Sequence, residues 1–327
     1  MIDIYLIKKK KYIFFLYFFL ILLLIIELIF TKYQYTHTFL IKRHETLNNI
    51  TTNLYKEKII DNKLFFKFIV RLTLSEKILK AGEYKFYNNN IFQIIKKIRT
   101  GDIYQRKITI PEGLTSKDII DILKKTEGVV INEKIFDELI EEGTLLPNTY
   151  FYAYGTNFNI IIDKMKKRMS LSLTNAWKNR DKDLDLNNYN DVLILASLVE
   201  KETSLSYEKP IIAQVFLNRL KLNMKLQSDP TVIYGIKKAL GEEKKELKRE
   251  DLNYKSDYNT YLNNGLPKGP ICNPGEDSIL AVTNPTKGDL LYFVANGEGG
   301  HNFSSNYKTH LENVEKLRKI NNEKYKN

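Results

Sequence analysis

The strongest pattern in the chain is an unbroken apolar run, IFFLYFFLILLLIIELIF at residues 13–30, with Glu27 as its only charge. A run of that length crosses a hydrocarbon layer of roughly 30 Å when flanking residues help, which predicts a transmembrane anchor over residues 12–31. Lys8, Lys9, Lys10 and Lys11 precede it. By the positive-inside tendency they hold residues 1–11 in the cytoplasm and carry everything after Thr31 to the outer face. No small-x-small cleavage site comes after the run, and the bulky stretch TKYQYTHTF favours a retained anchor over a removed signal peptide.

Beyond the anchor the apolar positions switch between strand and helix periods. Short β-type runs at 38–41 and 107–110 bracket helical stretches near 45–56 and 91–99, and Thr115 to Asp118 can cap a helix ending near Lys125. Residues 32–125 therefore read as a small α+β module. The rest, 126–327, reads as a larger α+β domain. Its helices are expected at 132–142, 158–178, 188–203, 209–222, 230–239 and 306–322, with an extended stretch at 145–152 and a strand at 290–294. The run GEEKKELKRED at 241–251 alternates charge sign and reads as a solvated excursion.

Composition changes this picture little. The net charge of +12 comes with lysine spread through every segment, so it reflects a general bias; no dense Arg/aromatic stripe of the kind a nucleic-acid groove needs is present. Cys272 is the only cysteine, which excludes an internal disulfide and CxxC-type sites. The four histidines show neither tight ligand spacing nor an HExxH helix, and no GxSxG elbow occurs. Neither a metal nor a cofactor is called for, and an outward orientation removes cytoplasmic nucleotides as substrates.

The chemical interest lies in DVLILASLVEKET at 191–203, a strongly apolar helix that ends in two carboxylates. At about 100° per residue, Glu202 falls roughly 20° from Leu195 and roughly 40° from Leu198, on the apolar face. Glu200 falls roughly 160° from Leu198, beside Ser197 and Lys201. A carboxyl held among aliphatic side chains is desolvated, keeps its proton near neutral pH and can serve as a general acid. The competing reading puts Glu202 past the last turn, in solvent and paired with Lys201 or another lysine.

Further along, Asn218 and Arg219 lie among core positions, with a groove as one destination. Gln227, Ser228 and Asp229 precede Pro230, where Asp229 reads either as a helix-start residue or as a contact to sugar hydroxyls. Asn259 and Tyr261 lead into a Pro/Gly-rich loop at 265–275. Tyrosine beside Asn and Thr suits carbohydrate, whose faces stack on rings while its hydroxyls take hydrogen bonds.

Ten segments in order then carry a resemblance: AGEY at 81–84, TIPEGLT at 109–115, LPNTY at 146–150, LASLVEKET at 195–203, FLNRL at 216–220, LQSDPTVIYG at 226–235, YNTY at 258–261, GLPKGPI at 265–271, NPG at 273–275 and LYFVANGEGGH at 291–301. Together they resemble the membrane-anchored endolytic murein transglycosylases, YceG-like proteins, over most of the exported part. The resemblance implies a small LysM-like module near the membrane. It further implies a catalytic domain that cleaves the MurNAc–GlcNAc bond within peptidoglycan strands, leaves 1,6-anhydro-MurNAc ends and so terminates glycan elongation. One glutamate would first protonate the leaving oxygen and then accept the proton of the sugar's own C6 hydroxyl.

The VEKET stretch resembles the site of that glutamate, which implies Glu202, with Glu200 as runner-up. Gln227, Asp229, Asn259, Tyr261 and His301 are expected to line the groove, and peptidoglycan synthases are expected partners. Lys268 and Leu311 depart from the family's pattern in groove detail. Two other readings stand beside this one: a muramidase that uses water, and a wall-binding scaffold without catalysis.

Overall fold

The computed structural model describes residues 2–131, 140–242, 244 and 246–324, with side chains at 2–10, 24, 25, 28–30 and 33–36 outside the description. The chain is α+β and forms two compact units. The helix expected over 132–142 falls mainly on residues 132–139, outside the described residues.

The first unit holds residues up to Arg106 with a short return segment, Phe151–Gly155. The apolar run lies in helix α1 (Ile2–Phe30), where Phe14 and Phe15 are about three-quarters exposed, at 74% and 69%. Among the described residues no helix is long and apolar enough to cross a membrane, and part of the run lies outside the described side chains. Strand β1 (Tyr33–Ile41) pairs antiparallel with β2 (Gly82–Asn89), placing Phe39 opposite Tyr84. Between them run α2 (Leu47–Lys56) and α3 (Lys63–Leu72), and α4 (Ile91–Thr100) comes after β2.

Each of these helices starts where an Asn or Thr side chain can accept an otherwise unpaired N–H. Thr46 accepts from Asn49, Asn62 from Phe65, and Asn90 forms a reciprocal capping box with Gln93. Phe39, Leu54, Phe66, Tyr84, Phe86 and Ile94 form their core. One buried carboxylate, Glu83, takes a two-pronged contact from Arg106 at 2.7 and 2.9 Å. Those contacts outweigh the effect of burial and hold its pKa below the usual range.

The second unit comprises Lys107–Tyr150 and Thr156–Asn327. Residues 107–125, grouped by the sequence with the membrane-proximal module, pack here. The elements are β3 (Arg106–Thr109), α5 (Ser116–Lys125), β4 (Val129–Val130), β5 (Thr149–Tyr152), β6 (Thr156–Asn157), α6 (Phe158–Lys178), α7 (Tyr189–Glu202), α8 (Lys209–Lys221), α9 (Asp229–Leu240), α10 (Glu276–Thr283), β7 (Tyr292–Ala295), β8 (His301–Ser304) and α11 (Tyr307–Lys324). Helix α7 is buried on all sides from Val192 to Val199. Helices α6, α8, α9 and α10 pack around it. It is therefore a central core helix and not an amphipathic surface one.

Asn273 ties the loop before α10 into this core. It is fully buried, its Oδ1 accepts from Leu145 N at 2.8 Å, and its Nδ2 donates to Leu114 O, Ser116 Oγ and Glu142 Oε1, each at 3.1 Å. Its main chain adds two bonds to Gly113 and Leu114. Removing a side chain that satisfies several buried groups leaves them desolvated and unpaired, so Asn273→Ala is expected to lower stability by about 2–4 kcal/mol. Urea denaturation of the two proteins measures this; a loss below about 0.5 kcal/mol contradicts the role given to Asn273.

Candidate active site

Glu202 is the last residue of α7, and the turn after it fixes its position. Thr203 caps the helix in an extended conformation, and its N–H still bonds to Val199 O. Glu202 itself is partly buried, beside a cavity of about 370 Å³ lined by Glu112, Gly113, Glu200, Lys201, Glu202, Thr203 and Ser204. Larger cavities of about 530 and 550 Å³ lie elsewhere on this unit, away from any cluster of acid or base groups matched to the motif.

The partner of Glu202 is a hydroxyl and not a lysine. Ser228 Oγ donates to Glu202 Oε1 at 2.5 Å, while Lys201 Nζ reaches Gly113 O at 3.4 Å; among the described residues Glu202 makes no salt bridge. Ser228 is the N-cap residue of α9, yet its side chain makes no cap bond, its hydroxyl being committed to Glu202. Thr260 holds it in place by accepting from Ser228 N at 3.0 Å and by sharing a 2.9 Å bond with Thr231.

Burial pushes the Glu202 pKa up to about 7. Asp229 raises it further, while the Ser228 bond, His301 and Arg219 act in the opposite direction and are outweighed. The group that results holds its proton on about half of the molecules at neutral pH, poised to give it to a substrate oxygen and to take one back.

Glu200 has a different environment. Its side chain is 6% exposed and accepts from Lys209 Nζ at 3.2 Å, Gly275 N at 2.9 Å and Ser278 Oγ at 2.6 Å. It anchors the start of α10 and neutralises a buried lysine. Its carboxylate is thus occupied by this polar cage and is not the free acid that the runner-up reading requires. Glu112, from TIPEGLT, shares Lys209 at 3.4 Å and lines the same cavity as Glu202. Burial and the neighbouring Glu200 raise its pKa against the pull of Lys209.

The other expected residues divide. Asp229 accepts from Tyr261 Oη at 2.5 Å, and both groups lie within electrostatic reach of Glu202. Gln227 is exposed and holds a left-handed backbone at φ +49°, with its N–H bonded to Thr260 O. A non-glycine residue at that angle stores strain next to the site. Asn259 is fully buried, with Nδ2 donating to Leu252 O and Tyr254 O and Oδ1 accepting from Tyr261 N. It shapes the loop that carries Tyr261 and presents nothing to a groove, which corrects its expected role. Asn218 and Arg219 also bind main-chain carbonyls, of Gly288, Leu290, Leu291 and Leu226.

His301 opens β8, and its ring pairs with Glu208, a residue that no sequence pattern singles out. Nδ1 lies 2.7 Å from Oε2 of Glu208, whose Oε1 accepts from His301 N at 2.8 Å. Glu208, Ser228 and Glu112 are all invisible to spacing arguments because their partners lie far away in the chain; only their place inside the matched motifs or just beyond them could have drawn notice. Among the described residues no group of His, Cys, Asp and Glu gathers to hold a metal.

With this arrangement in view, comparison with known proteins is decisive on kinship. The profile of the YceG-like family matches residues 39–316. This chain belongs to the YceG-like family. The endolytic murein transglycosylase of Bacillus subtilis is 32% identical over 309 residues, covering 85% of this chain and 84% of the relative. That of Streptococcus pneumoniae is 30% identical, covering 84% of this chain and 57% of the longer relative. A crystal structure of a YceG-like protein from Listeria monocytogenes matches with 32% identity and a TM-score of 0.51, covering 86% of this chain and 99% of that one.

The raised pKa of Glu202 has a consequence for stability. Unfolding restores a carboxyl that ionises near 4.5, so between that value and about 7 the unfolded state sheds its proton first. Folding is therefore weakened as pH rises through this window, by up to about 3 kcal/mol. Glu202→Gln removes the effect: the variant should gain about 1–3 kcal/mol on wild type between pH 4 and pH 8. Denaturant midpoints at the two pH values test it, and a gap that does not change with pH contradicts a neutral buried Glu202.

Proposed function

We propose that this YceG-like protein is an endolytic lytic transglycosylase of peptidoglycan, with Glu202 as its single acid/base. The observation that carries the reading is the Ser228-bonded carboxyl, its pKa raised by burial, at the end of a core helix beside an open cavity. Such a group protonates the oxygen between MurNAc and GlcNAc as the bond to C1 breaks. It then accepts the proton of the C6 hydroxyl as that oxygen closes on C1, giving a 1,6-anhydro end without water. No second carboxylate is required, and the ion-paired Glu200 is spent on structure. The names of the Bacillus and Streptococcus relatives support the same substrate.

The proposal extends to place and partners. The lysines at 8–11 and the apolar run at 13–30 support a single membrane anchor with the rest of the chain outside the cytoplasm. The first unit, two antiparallel strands with a helix pair between them, supports a LysM-like module that holds glycan. An enzyme tethered there would cut nascent strands close to the synthases and end their elongation.

A water-using muramidase is the second reading, and it has one observation on its side: Asp229, a second carboxyl close enough to raise the pKa of Glu202. Mass spectrometry of peptidoglycan digested by the full chain separates the two. Anhydro-muramyl ends are expected, and Glu202→Gln should cut the rate by about 100- to 10,000-fold. Reducing ends throughout would exclude the lyase, and undiminished digestion by the variant would exclude Glu202 and, with it, this account of the site.

A further inference from the structure

The carboxylate of Glu208 joins the end of α7 and the start of α8 to β8, which lies 93 positions away. It stands at the start of α8 and is 3% exposed. Oε1 accepts from the main-chain N–H of His301 at 2.8 Å. Oε2 meets His301 Nδ1 at 2.7 Å and accepts from Thr203 Oγ1 at 3.1 Å. Thr203 directly adjoins Glu202, and its Oγ1 in turn accepts from Leu205 N at 3.1 Å. Gly300 makes the approach possible, because a Cβ there would lie 2.7 Å from Glu208 Oε1.

Glu208 has no free edge to offer a substrate. Burial works against its charge, but the bonds from His301 and Thr203 prevail and hold its pKa below the usual carboxylate range. An ionised carboxylate only accepts, so the proton in the 2.7 Å contact sits on Nδ1 of His301. That leaves Nε2 as the ring nitrogen without a hydrogen-bond partner among the described residues. The ring is wedged edge-on against Phe293 at 5.4 Å, is 15% exposed, and lies within electrostatic reach of Glu202.

Resting on the transglycosylase reading, we propose that Glu208 is a positioning residue of this site: it locks His301 in the Nδ1–H form, so that Nε2 accepts a hydroxyl of the sugar seated against Glu202. The same carboxylate fixes the end of α7 through Thr203, so one anion sets both the acid and the group that orients its substrate. This is the arrangement by which buried carboxylates orient histidines that must present one chosen nitrogen.

Three readouts on the full chain test it. In ¹⁵N-histidine spectra at pH 8, wild-type His301 should show a protonated Nδ1 and a bare Nε2, with Glu208→Gln moving the proton toward Nε2. A wild-type ring protonated on Nε2 overturns the proposal without any variant. In peptidoglycan digestion, Glu208→Gln should lower kcat at least 10-fold, Glu208→Asp should recover part of it, and Glu208→Gln with His301→Gln should lose much less than the product of the two single losses. Because Glu208 also holds Thr203, a small extra loss in the double variant fits the proposal, but losses that multiply in full mean Glu208 does not act through His301. If wild type leaves murein uncut, the transglycosylase reading fails, while the spectra still decide the tautomer.

Discussion

The cost of keeping a carboxyl group out of water governs this molecule's site. Glu202 ends a helix that is buried on every side from Val192 to Val199, so its side chain starts at the edge of the core. Folding can tolerate it there because its raised pKa lets it hold a proton up to near neutral pH and because one short bond from Ser228 satisfies it. Both conditions depend on structure built elsewhere: Thr260 and Thr231 set Ser228, and Asn259 sets the loop that carries Thr260 and Tyr261.

Two neighbouring glutamates show the opposite solution. Glu200 and Glu208 are as buried as Glu202 or more so, yet each receives cationic or N–H donors, Lys209 and Gly275 in one case and His301 in the other. Three carboxyls within nine positions of one another thus take three roles, set by their donors and not by their residue type. Charge is kept where it holds elements together and disfavoured at Glu202, the proposed acid.

Much of the second unit was legible because its helices announce their own ends. Helix α6 runs over the expected residues 158–178, with Asn157 as its cap, and α9 stops at Gly241 in the left-handed region. Other elements were missed for different reasons, α3 in spite of its Asn62 cap. Helix α3, KLFFKFIVRL, is apolar on most of its surface, and α10 is only eight residues long. Strand β2 opens on a glycine, in a segment legible only as part of a motif. The helical phase singled out Glu202 by its apolar side, although α7 has no polar side along its middle; the phase argument alone could not have separated it from Glu200. Motif resemblance made that separation, and the polar cage around Glu200 gives it a physical basis. The link from Glu208 to His301 spans 93 positions, which no local pattern encodes.

The account turns on the protonation state of one side chain. A ¹³C-detected carboxyl titration of the full chain, assigned by comparison with Glu202→Gln, measures it directly. The expected midpoint for Glu202 is about 7, well above that of exposed glutamates. A midpoint near 4.5, the ordinary value, would mean that the carboxyl is charged at neutral pH, and the acid assigned to this site would not exist.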